Sequence, residues 1–173
     1  MTAPPIIPGF EVRPLLASDV PALELLFDED PEYFEINGRR FSIDEMRTAL
    51  PPGRSFDDKF VYVLERDGHP EGMIDVIRGY PEPHVWYLGF IFLSVRVRGG
   101  GQGRRCLRAL YDWVRAQGGN AIRLGVVEPN LRARHLYATE GFTFEAMREV
   151  DPEAKRMRRT LVLRRALVLR RAL

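Results

Sequence analysis

The sequence has a single cysteine, Cys106. An intrachain disulfide is therefore excluded, and a reducing setting is the natural one. No apolar run approaches the ~20 residues that cross a bilayer, and no basic-then-apolar segment opens the sequence. A soluble, cytoplasmic protein with no membrane role is expected. An excess of one charge is missing too: 26 Lys and Arg stand against 24 Asp and Glu, a net charge of +2. That balance offers no case for nucleic-acid binding. It conceals an asymmetry, because residues 151–173 hold eight basic and two acidic side chains and leave eighteen and twenty-two to residues 1–150. The familiar nucleotide fingerprints are also absent. Arg98-Gly-Gly-Gly-Gln-Gly103 is not G-x-G-x-x-G, and no Gly-Lys-Ser/Thr follows it.

What is present suits one compact domain with a real core: 173 residues, 45% of them hydrophobic. A proline-rich leader, residues 1–9, reads as flexible. Phe10 to Leu15 is a plausible first strand. Ser18 reads as a helix N-cap, with Asp19 where the helix dipole favours negative charge. Val20, Leu23, Leu26 and Phe27 give that helix one apolar face. The acidic, aromatic stretch Asp28 to Glu35 reads as a loop. Ser42 and Glu45 form a capping box for a second helix, which ends before Pro51-Pro52.

Phe60–Glu65 and Gly72–Ile77 read as a hairpin turned at Asp67-Gly68. Val85 to Leu93 is nearly all apolar, as expected of a strand buried on both faces. After the glycine loop, Leu107, Leu110, Trp113 and Val114 mark the inner face of a long helix. Cys106 falls on the same stripe and reads as a packing thiol. Gly118-Gly119 ends the helix. Ala121–Val127 follows as a strand, parallel to its predecessor because a helix intervenes. Asn130 caps a short helix that Gly141 closes. Phe142–Val150 and Met157–Leu163 complete an antiparallel pair joined through Asp151-Pro152.

The expected fold class is α/β: a single mixed, mostly antiparallel sheet with a central parallel strand pair and helices on both faces. The domain spans residues 10–164. Residues 165–173 form a basic tail, within which Leu161-Val-Leu-Arg-Arg-Ala166 recurs as residues 167–172. A six-residue period fits neither helical nor strand facing, so function is not expected there.

The glycine loop gains meaning from its downstream partner. Arg98-x-x-Gly101-x-Gly103, then Asn130-x-x-Ala133-x-x-Leu136-Tyr137-x-x-x-Gly141-Phe142, resembles the GNAT family of N-acetyltransferases. A weaker resemblance extends to Val12-Arg13-Pro14 and Ser18-Asp19. The resemblance implies acetyl-CoA as co-substrate, no metal, and a primary amine of a small molecule or a peptide as acceptor. A homodimer is compatible with it.

Acyl transfer from a thioester requires a held coenzyme, a deprotonated amine, a stabilised oxyanion and a protonated leaving thiolate. A glycine loop at a helix start offers unblocked N–H groups to a pyrophosphate. Residues 98–104, that is Arg98, Gly99, Gly100, Gly101, Gln102, Gly103 and Arg104, are assigned to it, the two arginines adding charge-assisted contacts. In the family, the strand before the loop splays from its parallel neighbour and pairs with the pantetheine arm. The resemblance gives that role to the main chain of Ile91, Phe92 and Leu93. Asn130 corresponds to the amide that touches the same arm, and is equally a helix cap. Tyr137 matches the general acid, and is otherwise a core tyrosine. A phenol with pKa near 10 stays protonated at neutral pH and can supply the thiolate.

The general base is left open. Many relatives carry a glutamate where this chain has Gly125, so Asp75, Glu128, His84 or a water chain remain. The carboxylates of residues 28–35 among Tyr33 and Phe34 are expected to attract a cationic acceptor, or else to be a solvated turn. The alternative to an enzyme is a non-catalytic acyl-CoA-binding or sensing module.

Overall fold

The computed structural model describes residues 2–38, 40–150 and 158–166. Seven strands form one sheet in the order β1-β2-β3-β4-β5-β7-β6. The strands are β1 (Glu11–Pro14), β2 (Lys59–Arg66), β3 (His69–Arg78), β4 (Val85–Leu93), β5 (Ala121–Val127), β6 (Thr143–Val150) and β7 (Arg158–Ala166). Neighbours pair antiparallel except β4 and β5, which are parallel. The helix between β4 and β5 makes that parallel step, as a crossover must. This is the α/β sheet that the sequence predicts.

The helices divide between the two faces. On one lies α4 (Gln102–Ala116), whose Cys106, Leu107, Leu110 and Val114 pack with Trp86 and Leu88 of β4 and Ile122 and Leu124 of β5. Helix α5 (Leu131–Thr139) joins this core through Tyr137. The other face carries α1 (Val20–Asp28), α2 (Pro31–Asn37) and α3 (Ile43–Thr48). Leu23, Phe27, Phe34 and Ile43 there meet Met73 of β3 and Phe90 and Phe92 of β4. Strand β4 is thus apolar throughout because each face has its own core. Each fully buried side chain of this size contributes about 1.5–3 kcal/mol.

Three local readings change. The expected loop at residues 28–35 contains the start of α2: the Asp30 side chain accepts from the Tyr33 N–H at 3.2 Å, and Pro31 occupies the first helical position. Ser18 is not the cap of α1; it lies in a 3-10 turn, Ala17–Asp19. Asp19 instead accepts from the Leu16 N–H at 2.7 Å and pairs with Arg13, which also holds Glu65. The leader read as flexible is fixed to the body: Ile7 is 1% exposed, the Trp113 indole donates to the Ala3 carbonyl, and the Gln102 amide donates to that of Pro8. Proline composition hid that one apolar anchor.

The Ser42–Glu45 capping box is present in both directions. The Asp67-Gly68 turn has both residues left-handed, φ 53° and 76°, as a two-residue hairpin requires. The first copy of the repeated hexapeptide ends β7, with Leu163 opposite Leu124. The second copy, most of the tail and the Asp151-Pro152 turn lie outside the described residues.

Candidate active site

The site begins with a defect in β4. Val85 to Leu88 pair with Ala121 to Leu124 of β5, and the pairing stops there. On the β3 side the register skips one residue, Asp75 facing Phe90 and Val76 facing Leu88, so Gly89 is bulged. An isolated glycine inside a strand is a common bulge residue. Here a Cβ would stand 3.0 Å from Asp75 Oδ2, too close for another side chain without movement. Past the bulge, β4 and β5 diverge. Among the described residues the β5 side of Gly89–Leu93 has no strand partner, whereas Gly125 to Val127 remain paired to β7.

The wedge opens into a cavity of about 1060 Å³. It runs from the loop before α4, past α5, through the β4–β5 gap to the α2 side of the sheet. Ile91, Phe92, Leu93, Arg98, Gly99, Gly101, Gln102, Gly103, Arg104, Asn130 and Tyr137 all line it. Of the site residues predicted from sequence, Gly100 is the one not among the lining residues. Gly99, Gly100 and Gly101 have φ of 92°, 52° and 77°, a left-handed run that residues with a Cβ resist. Gly101 then caps α4, whose first N–H groups have no acceptor within the helix. A Cβ on Gly103 would meet Leu136 at 3.4 Å, so α4 and α5 approach closely at the cavity rim.

The two arginines assigned to phosphate are already engaged. Arg98 donates from Nε to the Leu93 carbonyl at 2.6 Å, forms an ion pair with Asp30, and lies over the rings of Phe92 and Tyr33. Arg104 holds the buried Glu140 at 2.8 Å. Their charge reaches the cavity, but each is tied by a carboxylate. Gln102 contributes main chain alone: its amide binds the Pro8 carbonyl and its oxygen accepts from Arg105. Arg132, which sequence reasoning passed over, also lines the cavity at the α5 end.

Asn130 caps α5, accepting from the Ala133 N–H at 3.1 Å, and still borders the cavity. Tyr137 is 8% exposed and packs edge-on to Phe142, ring centroids 5.4 Å apart. Burial pushes its phenol well above the ordinary tyrosine value, and Tyr33 adds to the effect. Tyr33 is itself pushed up by burial. It reaches the cavity from α2 and makes edge contacts with Phe90 and Phe92. The sequence signal for this second phenol was Asp30-Pro31, an N-cap and first-turn pair that places Tyr33 on a helix.

The open question of a base narrows. No Asp or Glu is among the described residues that line the cavity. Asp75 lies behind Gly89 and receives Lys59 Nζ at 2.9 and 3.0 Å; the two side chains are 9% and 3% exposed. Burial still pushes the Asp75 carboxyl up, against the pull of Lys59. His84 is exposed before the paired end of β4, and neither it nor Glu128 lines the cavity. Cys106 is fully buried, its thiol pushed up to about 11 by desolvation, with no part in the site. The fold gives three carboxylates of the acidic stretch an arginine, Asp28 with Arg40, Glu29 with Arg96 and Asp30 with Arg98, while Glu32 and Glu35 are exposed.

A sheet splayed at its one parallel pair, with a glycine turn and a buried phenol at the gap, is what the resemblance in the sequence leads one to expect. Comparison with known proteins agrees. Residues 23–142 match the model of the Acetyltransferase (GNAT) family. Similar solved structures include an acetyltransferase from Thermus thermophilus, 20% identical, covering 92% of this chain and 98% of that one at a TM-score of 0.70. A ribosomal-protein-alanine N-acetyltransferase from Brucella melitensis is 23% identical, covers 90% and 99%, and has a TM-score of 0.68. YncA from Salmonella typhimurium, solved with its cofactor acetyl-CoA, is 19% identical, covers 95% and 97%, and has a TM-score of 0.67. No curated protein sequence matches the chain. The chain belongs to the GNAT acetyltransferase family. Among the described residues no helix is long and apolar enough to cross a membrane.

Proposed function

We propose that this protein moves the acetyl group of acetyl-CoA directly to a primary amine, with residues 10–164 as the catalytic domain. The observation that carries this reading is the loss of β4–β5 pairing after Leu88 and Leu124, inside a cavity shared by the glycine turn and Tyr137. The unpaired main chain of Ile91, Phe92 and Leu93 is suited to a peptide-like arm, which it binds as an added strand would. The glycine turn and the first turn of α4 favour phosphate oxygens, with Arg98 and Arg104 as nearby positive charge. Asn130 borders the same channel while capping α5.

Acetyl-CoA supplies an activated acyl thioester. As the amine nitrogen bonds to the acyl carbon, the carbon–sulfur bond breaks and Tyr137 gives its proton to the departing sulfur. Burial raises the proton affinity of a thiolate as well as that of the phenolate, so the raised Tyr137 phenol faces an acceptor shifted in the same direction. No described carboxylate borders the cavity, so the amine proton leaves to water or to His135 of α5, which lines it, and water returns a proton to the Tyr137 phenolate once the products have left.

Thiol release from acetyl-CoA across a panel of amines tests the reading. Amine-dependent release is expected. Tight acetyl-CoA binding with no release for any amine would instead mark a binding or sensing module.

A further inference from the structure

The cavity extends beyond the residues assigned to the coenzyme. Beyond the β4–β5 gap it continues to Tyr33 and Asn37 of α2, to Phe41, and to Tyr87 and Phe90 of β4. Tyr87 and Phe90 lie on the α2-facing side of β4, where Phe90 joins the aromatic core. Phe90 meets two of these rings, Tyr33 at 6.2 Å and Phe41 at 6.1 Å between centroids, while Tyr87 lines the same cavity and meets Tyr80 edge-on at 5.7 Å. The Asn37 amide is engaged with the Tyr33 carbonyl at 2.6 Å, which leaves its oxygen as an acceptor.

Fixed charge is scarce on this side. Of the cationic lining residues, Arg104 and Arg132 belong to the glycine-turn and α5 end, whereas Arg98 lies over the Tyr33 ring and is held there by Asp30. None of the carboxylates in residues 28–35 lines the cavity, and Asp28, Glu29 and Asp30 are held by arginines. Ring faces attract a single ammonium and favour burial of an apolar body. A second positive charge on the acceptor would lose its water and meet Arg98 as a like charge, and a carboxylate would have to compete with Asp30 for Arg98.

We propose that the acceptor is a primary monoamine carried on a flat apolar or aromatic body, seated against the ring wall of Tyr33, Phe41, Tyr87 and Phe90. This deepens the acetyltransferase reading and rests on it. The wall selects against diamines, polyamines and free amino acids.

The test uses the full chain and matched probes: 2-phenylethylamine, butylamine, 1,4-diaminobutane and glycine. The ring wall requires kcat/KM for 2-phenylethylamine to exceed those for diaminobutane and glycine by roughly tenfold or more. Butylamine, which differs from diaminobutane by one charge, is expected between them. Phe41→Ala and Tyr87→Ala each lower the 2-phenylethylamine value roughly tenfold, with acetyl-CoA affinity held within a factor of about two. Phe41→Asp shifts preference toward diaminobutane. Calorimetric titration of 2-phenylethylamine into CoA-saturated protein gives a readout independent of turnover. If binding is seen and Phe41→Ala removes it, yet no amine is acetylated, the wall stands and the transferase reading falls. If diaminobutane or glycine is the preferred acceptor, the wall is overturned and the transferase reading survives. Absence of both binding and transfer overturns both.

Discussion

The two halves of β4 face the same helices yet serve different ends. Trp86–Leu88 are paired with β3 on one side and β5 on the other, whereas Phe90–Leu93 have β3 alone. One bulged glycine separates them. The first half holds the parallel pair together and completes the α4 core; the second leaves main-chain groups exposed to a cavity. An unsatisfied backbone donor or acceptor is costly when buried, so such a half-strand persists only where water or a ligand completes it. The lesson is that the sheet's interruption is the site, and the structural support for the interruption belongs to the function.

That support can be broken first at the buried pair behind the bulge. Lys59→Met leaves Asp75 unpaired against Gly89 and is expected to destabilise the fold by about 3–5 kcal/mol at neutral pH. The loss has a definite pH sign. Without Lys59 the folded-state pKa of Asp75 rises further above its unfolded value, so the variant recovers stability as pH falls and loses it as pH rises through the folded value. Chemical melts from pH 4 to pH 8 measure this. The double variant with Asp75→Leu is expected to regain most of the stability, because no charge then remains buried.

Next in size is the contrast between the halves themselves. Leu88→Ala, in the paired half, is expected to cost about 2–5 kcal/mol. Ile91→Ala, half-buried in the open half, costs less than half as much in the same melts. Acetyl-CoA affinity changes little in Ile91→Ala, because the proposed contact there is main chain. A large affinity loss would mean that the side chain, not the open backbone, holds the coenzyme.

Smaller again in free energy is the effect of Tyr137→Phe. It is expected to lower kcat about 10²-fold, equivalent to about 2.7 kcal/mol. Ring packing against Phe142 is retained, so Tm and coenzyme affinity stay level. Turnover at the parent rate would assign Tyr137 to the core alone.

The sequence is most informative where structure is local. The glycine turn, the apolar stripe of α4, the Asn130 cap and the buried run of β4 each carry their signal within a few residues. The same run shows Gly89 between Leu88 and Phe90, and only the register with β3 reveals it as a bulge. Where partners are distant, local reading is incomplete. Asp28, Glu29 and Asp30 read as a solvated or cation-steering lip, and the fold brings each of them an arginine. Arg98 reads as a phosphate ligand and is found holding Asp30 and the Leu93 carbonyl. Asp75 reads as a candidate base, and pairing with Lys59 across β2 and β3 removes it from the cavity. The ring wall draws on α2, the segment after it and β4, and no single stretch displays it.

Residue-resolved amide hydrogen exchange, with and without saturating acetyl-CoA, tests the central claim most directly. Slowed exchange is expected at wedge-facing amides within residues 89–93 and at residues 99–104, with no change at residues 85–88, whose sheet partners are already in place. Saturation by acetyl-CoA with exchange at residues 89–93 unaltered would contradict the account, since the open half of β4 would then not be where the coenzyme binds.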